Sequence, residues 1–212
     1  MPNLIPMDDQ PISATFFGEG KWLTDFITPN TLEIQTLHKN ITEGIDELGD
    51  RLAAMRTWVA SKIRYTRFVK GTLQVEGKVS RQNDLWNTPA ITAQVGVGNC
   101  ANMSFLLTSL IRNDLAAQDV HCVLGNLYNG TPGGHAWTQV RLGNEEYILE
   151  STKLDIPNLV PTRSIDRYEA VHFFNDKEAY AVEGLTILEP FAACYSTWLK
   201  DYLDWAYIKG RK

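Results

Sequence analysis

With 212 residues and a mass of 23.9 kDa, the chain is long enough to bury a sizeable core, and a single domain spanning 1–212 is expected. Hydrophobic residues at 44% and charged residues at 21% lie near the globular average and exclude disordered and fibrous classes. The 20 Lys and Arg against 25 Asp and Glu leave a net charge of −5, which argues against nucleic acid as the main partner.

No run approaches the ~18 consecutive apolar residues of a membrane helix, so no membrane contact is expected. The opening Met-Pro-Asn-Leu-Ile-Pro-Met-Asp-Asp has neither a basic nor an apolar leader region, and a cytoplasmic location is the expectation. Three cysteines, Cys100, Cys122 and Cys194, are an odd number without CxxC spacing or a Cys/His cluster. That pattern disfavours a disulfide framework and a zinc site, and no metal or other cofactor is expected. The thiols are then available as core filler or as nucleophile.

Residues 1–30 carry Pro2, Pro6, Pro11 and Pro29 and read as an irregular arm with one short strand at Ser13–Phe17. Pro29-Asn30-Thr31 marks a helix start, with Leu32, Gln35 and Leu37 following before Gly44. A stronger helix is predicted from about Ile45 to Ile63, because Ile45, Leu48, Leu52, Met55, Val59 and Ile63 recur at three- and four-residue steps. Residues 64–99 alternate weakly around Leu73, Val75 and Val79 and end in a long connector from Ser80 to Asn99. Asn99 has N-cap chemistry, and Ala101–Ile111 reads as a buried helix.

The period then changes to two. Val120–Leu127 reads as a strand, 128–134 as a turn cluster, and His135–Leu142 with Glu145–Leu149 as a hairpin about Gly143-Asn144. Further strands are expected around Val171–Phe174 and Leu185–Leu188, with a C-terminal helix from about Ala192 to Ile208. Helices followed by a mostly antiparallel sheet make the class α+β.

Cys100 follows Gly98-Asn99 and begins the buried helix. Partial positive charge at a helix start favours thiolate over thiol, and glycines ahead of it let a substrate backbone come close. A cysteine there is, by default, a small buried residue, so a nucleophile needs partners: a base and a group that orients the base. Of four histidines, His38, His121 and His172 read as surface or core. His135 opens a strand directly after Gly133-Gly134, at the rim of a sheet.

Strand register supplies the third member. A two-residue loop sets Leu142 opposite Glu145, and following that register outward puts Trp137 opposite Glu150 and Thr152 opposite His135. His135, Trp137, Gln139, Ile148, Glu150 and Thr152 then share one face, with Glu150 diagonal to His135 at about 5–8 Å between backbones. Asp155 is the fallback acid. For the oxyanion, the Cys100 backbone N–H is one natural donor. Gln94, six residues before Cys100, is the side-chain alternative; the indole of Trp86 is a second, though Trp86 reads first as buried aromatic packing. Trp137 reads as a wall of the site or as packing against its sheet neighbours, and Cys122 and Cys194 as core.

Gly-Asn-Cys at 98–100, an apolar helix, a strand ending in Gly125, His-Ala-Trp at 135–137, a hairpin and Glu-Ser-Thr at 150–152 resemble the transglutaminase-like superfamily. Trp58-Val59 and Ile63-Arg64-Tyr65 resemble the helix preceding its cysteine loop, and the resemblance covers roughly 25–155, leaving 156–212 as a C-terminal extension. It implies a papain-like fold with a Cys-led helix on an antiparallel sheet. It also implies Cys100 as nucleophile, His135 as acid/base and Glu150 as the orienting acid. Where that family usually carries Asp, this chain has Glu150, one methylene longer. Gln94 stands at the spacing of the oxyanion glutamine in papain-like enzymes.

The expected activity is attack on peptide or protein amide bonds through a thioester, hydrolytic before crosslinking. The rival reading is a catalytically silent peptide- or protein-binding module. Action on a non-peptide amide such as a glycan-linked asparagine is the third.

Overall fold

The computed structural model describes residues 3–7, 22–66, 71–75, 78–82, 85–128, 132–188 and 194–196. In chain order the elements are β1 (Leu4–Pro6), α1 (Leu32–Thr42), α2 (Leu48–Lys62), β2 (Arg64–Tyr65), β3 (Gly71–Val75), β4 (Lys78–Gln82) and β5 (Leu85–Asn87). Next come α3 (Pro89–Val95), β6 (Val97–Gly98), α4 (Cys100–Ile111), β7 (Val120–Leu127), β8 (Gly133–Leu142) and β9 (Glu145–Leu149). The last are β10 (Val160–Pro161), β11 (Tyr168–Phe174), β12 (Ala179–Val182) and β13 (Cys194–Ser196).

Seven strands form one sheet in the order β1-β12-β11-β7-β8-β9-β10, with every neighbouring pair antiparallel. The class is α+β, with the cysteine-bearing helix packed on an antiparallel sheet. The β8–β9 hairpin turns through Gly143 at φ +63°, and Leu142 pairs with Glu145 and Thr138 with Leu149, the register the loop length predicts. Period two then separates two faces. Toward α4 point Cys122, Leu124, Ala136, Val140 and Leu149, packed with Phe105, Leu106, Leu107 and Leu110. The opposite face gathers Val123, Trp137 and Ile148 against Tyr168, Ala170 and Phe173.

Every residue of α4 is buried, so its polar side chains must find partners within the protein. Thr108 Oγ1 lies 3.0 Å from Thr138 Oγ1, and Ser104 Oγ lies 3.4 Å from Ser151 Oγ. Behind α4, the Phe105 ring stacks on Phe26 at 5.2 Å and meets Trp86 edge-on at 5.1 Å. Burying each such ring contributes about 1.5–3 kcal/mol, which anchors the start of α4 against the chain that precedes it.

Four sequence expectations need correction. The second helix begins at Leu48, because Gly44 takes a left-handed φ of +74° and Ile45 N–H closes a turn on Thr42. The 80–99 connector holds β5, α3 and β6: Thr88 and Pro89 start a helix at its first position, and Gly96 ends it at φ +67°. Leu185–Leu188 is irregular, its backbone tied to the Asn126 amide, while the strand runs over Ala179–Val182. Cys194–Ser196 is a strand parallel to β5 where a helix was expected; the remainder of that helix, and Ser13–Phe17, lie outside the described residues.

Candidate active site

Cys100 is the first residue of α4 and is 8% exposed. Asn99 caps the helix, its side chain accepting the Asn102 N–H at 3.0 Å, which leaves earlier N–H groups of that turn without an intrahelical acceptor. The turn is tight. A Cβ on Gly98 would come within 3.1 Å of Asn102 Cβ and 3.3 Å of Met103 Cγ, so glycine lets the chain enter the helix this close.

His135 stands on β8 opposite Gly125, and the Cys100 side chain is close enough to interact with its ring. Its Nε2 lies 2.7 Å from Glu150 Oε2, which leaves Nδ1 as the ring nitrogen for the thiol. The imidazole stacks on Trp137 with centroids 6.2 Å apart. Trp137 also crosses β7 at Gly125, where a Cβ would meet its ring at 2.7 Å and the Glu169 carbonyl at 2.1 Å. Only glycine leaves room for that indole.

Glu150 follows the last residue of β9 and is 2% exposed. Its Oε1 accepts the Thr152 N–H at 3.0 Å and the Thr152 hydroxyl at 2.7 Å; its Oε2 accepts Tyr168 at 3.0 Å beside His135. The turn that carries it is held from behind. Buried Arg56, on the apolar stripe of α2, donates Nε to the Glu150 carbonyl at 2.8 Å, a second nitrogen to the Lys153 carbonyl and a third to Asn158.

Charge follows from these contacts. Burial alone would push His135 toward neutrality, but its bonds to Cys100 and Glu150 outweigh that and raise its pKa well above the usual imidazole range. Burial likewise opposes the Glu150 carboxylate, and His135 with the two Thr152 donors reverses it, holding the acid ionised far below its ordinary range. Desolvation and the Glu150 charge together raise the Tyr168 phenol, so it remains a donor.

Three expected residues are thus neighbours in one row, in which His135 and Glu150 are hydrogen-bonded. Asp155 is exposed and interacts with Arg56, not His135. Gln94 is exposed on α3, and no hydrogen bond among the described residues joins it to the row. Trp86 is fully buried between Phe26 and Phe105. Sequence reasoning gave no role to Arg56, Thr152 or Tyr168. A cation inside an apolar helical stripe was the available signal for Arg56; nothing local marks Tyr168. Among the described residues, no group of three or more His, Cys, Asp or Glu is arranged to hold a metal ion, and no helix is long and apolar enough to cross a membrane.

The transglutaminase-like superfamily core matches residues 35–151, more than half of the chain. The chain belongs to the transglutaminase-like superfamily. Cys100, His135 and Glu150 all fall inside the matched span, while Thr152 and Tyr168 lie past its end. Among solved structures, Legionella pneumophila LapG is similar at 14% identity and a TM-score of 0.53, covering 72% of this chain and 80% of that one. Its calcium-bound form is similar at 14% identity and a TM-score of 0.53 over 89% and 94% of the two chains. Its EGTA-treated form gives 13% and 0.53 over 84% and 88%. At such identities the likeness speaks for the shared transglutaminase-like fold. No curated protein matches the chain in sequence.

Proposed function

We propose that this transglutaminase-like protein is a cysteine enzyme that cleaves peptide or protein amide bonds through a Cys100–His135–Glu150 triad. The supporting observation is the row itself: a thiol at a helix start beside an imidazole whose Nε2 is 2.7 Å from a buried carboxylate. Each contact matches what thiol catalysis needs. His135 takes the Cys100 proton, and the sulfur attacks the substrate carbonyl. As the tetrahedral intermediate collapses, the C–N bond breaks and the amine departs with the proton His135 holds, leaving a thioester. Water then attacks with His135 as base, the C–S bond breaks, and the acid product leaves the thiol as it began. Helix-start N–H groups, that of Cys100 first, are the proposed oxyanion donors, in preference to Gln94.

A peptide-amide library with a fluorogenic leaving group tests this, alongside incorporation of a dansylated alkylamine into casein. The wild type should release fluorophore, and Cys100→Ala should lose at least ~10³-fold of the rate with an unchanged circular dichroism spectrum. Amine incorporation exceeding hydrolysis would make the enzyme a crosslinking acyltransferase. Equal turnover in the variant would remove Cys100 as nucleophile, and no turnover in either assay would favour a peptide-binding module.

A further inference from the structure

Tyr168 lies on β11, past the end of the matched family core, yet its hydroxyl reaches into the row. Its oxygen donates to Glu150 Oε2 at 3.0 Å, the same oxygen that His135 Nε2 approaches at 2.7 Å. The ring cannot drift: it meets Trp137 edge-on at 5.1 Å, lies 6.1 Å from the His135 ring, and has the Arg167 guanidinium 5.7 Å from its centroid. On the other carboxylate oxygen, Thr152 supplies two donors. Glu150 therefore has its two oxygens held from opposite sides, one by the turn that follows it and one by a strand three positions away in the sheet.

We infer that Tyr168 is a positioning residue, which fixes the Glu150 carboxylate in the orientation that pairs with His135 and shares its charge with that pairing. The proposal rests on the triad reading above. A glutamate has one more rotatable bond than an aspartate, so a carboxylate bonded only at Oε1 retains a swing of Oε2 away from the imidazole. The phenol closes that freedom. It also competes with the imidazolium: a phenol bonds more strongly to a carboxylate whose charge is not already matched by a neighbouring cation. Tyr168 thus favours the neutral imidazole over the imidazolium relative to a site without it.

Three other places were weaker. The cleft of about 960 Å³ beside the β8–β9 turn is lined by Arg141 and Arg163, each already paired with a carboxylate, Asp119 and Glu145. The α1–α2 groove at Ile41 and Trp58 has nothing to specify an occupant. Cys122 is fully enclosed in the core.

The test uses the full chain, with histidine and tyrosine rings isotope-labelled for NMR, in wild type and Tyr168→Phe. The Phe ring preserves the packing on Trp137, and melting temperature reports whether the fold is kept. The His135 titration should move to higher pH by about half a pH unit in Tyr168→Phe, with His121 unmoved. In the wild type, the Tyr168 phenol should remain protonated through the ordinary tyrosine range around pH ~10; this second reading needs no variant. An unmoved His135 titration in a folded Tyr168→Phe, or Tyr168 ionising in that ordinary range, overturns the proposal. Cys100 alkylation by iodoacetamide in His135→Ala separates the two ideas. A rate equal to wild type defeats the triad reading, whatever the NMR titrations report on Tyr168.

Discussion

Just past the C-terminal end of α4, His38 meets Asp114 at 3.0 Å; at its N-terminal end, His135 meets Glu150 at 2.7 Å. Both carboxylates are nearly enclosed, with side chains 7% and 2% exposed. Their other partners differ. Arg51 of α2 forks onto Asp114, its Nε at 3.1 Å, so that carboxylate already faces a permanent cation and ties α1, α2 and α4 together. Glu150 receives a backbone N–H, a threonine hydroxyl and a phenol, all neutral; His135 is bonded to its carboxylate, and the Arg56 cation sits behind it on the backbone carbonyl. A histidine beside an acid therefore does not mark a site. A thiol at a helix start, and an acid whose carboxylate carries no arginine, separate the two ends.

The largest expected effect attacks the shelf under His135. Gly125→Ala should cost about 3 kcal/mol in urea unfolding, since its Cβ would strike the Glu169 carbonyl and the Trp137 ring that stacks on the imidazole. Stability within about 0.5 kcal/mol of wild type would mean that Trp137 does not need this approach. Next comes the opposite end: Asp114→Ala strands Arg51 and His38 and should cost about 2 kcal/mol. Iodoacetamide labelling of Cys100 should stay within about twofold of wild type in that variant, and a larger drop would show that the two ends are coupled.

Smaller again is the pH dependence of stability. His135 is raised on folding, so its contribution is fully present below the ordinary imidazole pKa of about 6.5 and is lost as pH climbs toward the raised value. Glu150 is lowered, so its contribution is present above about 4.3 and is lost as pH falls toward the depressed value. The stability gap between wild type and His135→Ala should therefore be widest between about pH 4.5 and 6.5 and shrink as pH rises. A gap that widens with pH would reverse the assigned sign. The smallest change expected is in Glu150→Asp, where one methylene less pulls the carboxylate back from donors on both sides. Cys100 labelling should fall about threefold there, against about tenfold in Glu150→Gln, where the charge is lost.

Local chemistry carried most of what was legible. Gly143-Asn144 sets the hairpin register, and parity alone then puts Glu150 on the His135 face. Asn99 announces the helix whose first residue is Cys100. Where the reading failed, competing signals were either overlooked or non-local. Thr88-Pro89 and Gly96 are ordinary helix bounds, hidden because α3 is only seven residues long. Leu185–Leu188 is apolar enough to pass for a strand, but Asn126 takes its backbone groups, and the alternation of Ala179–Val182 pairs with β11 instead. Tyr168 could not be foreseen from spacing. It reaches Glu150 because β11 returns to lie against β7, a pairing between distant stretches of chain.

The central claim is that His135 activates Cys100, and site-resolved alkylation tests it most directly. Native protein would be treated with iodoacetamide across pH 5 to about 10, and Cys100, Cys122 and Cys194 quantified separately in wild type, His135→Ala and His38→Ala. Cys100 should label faster than Cys122, which burial holds as the thiol, and should slow about tenfold in His135→Ala while His38→Ala leaves it unchanged. A Cys100 that labels no faster than Cys122, or that ignores the loss of His135, would contradict the account.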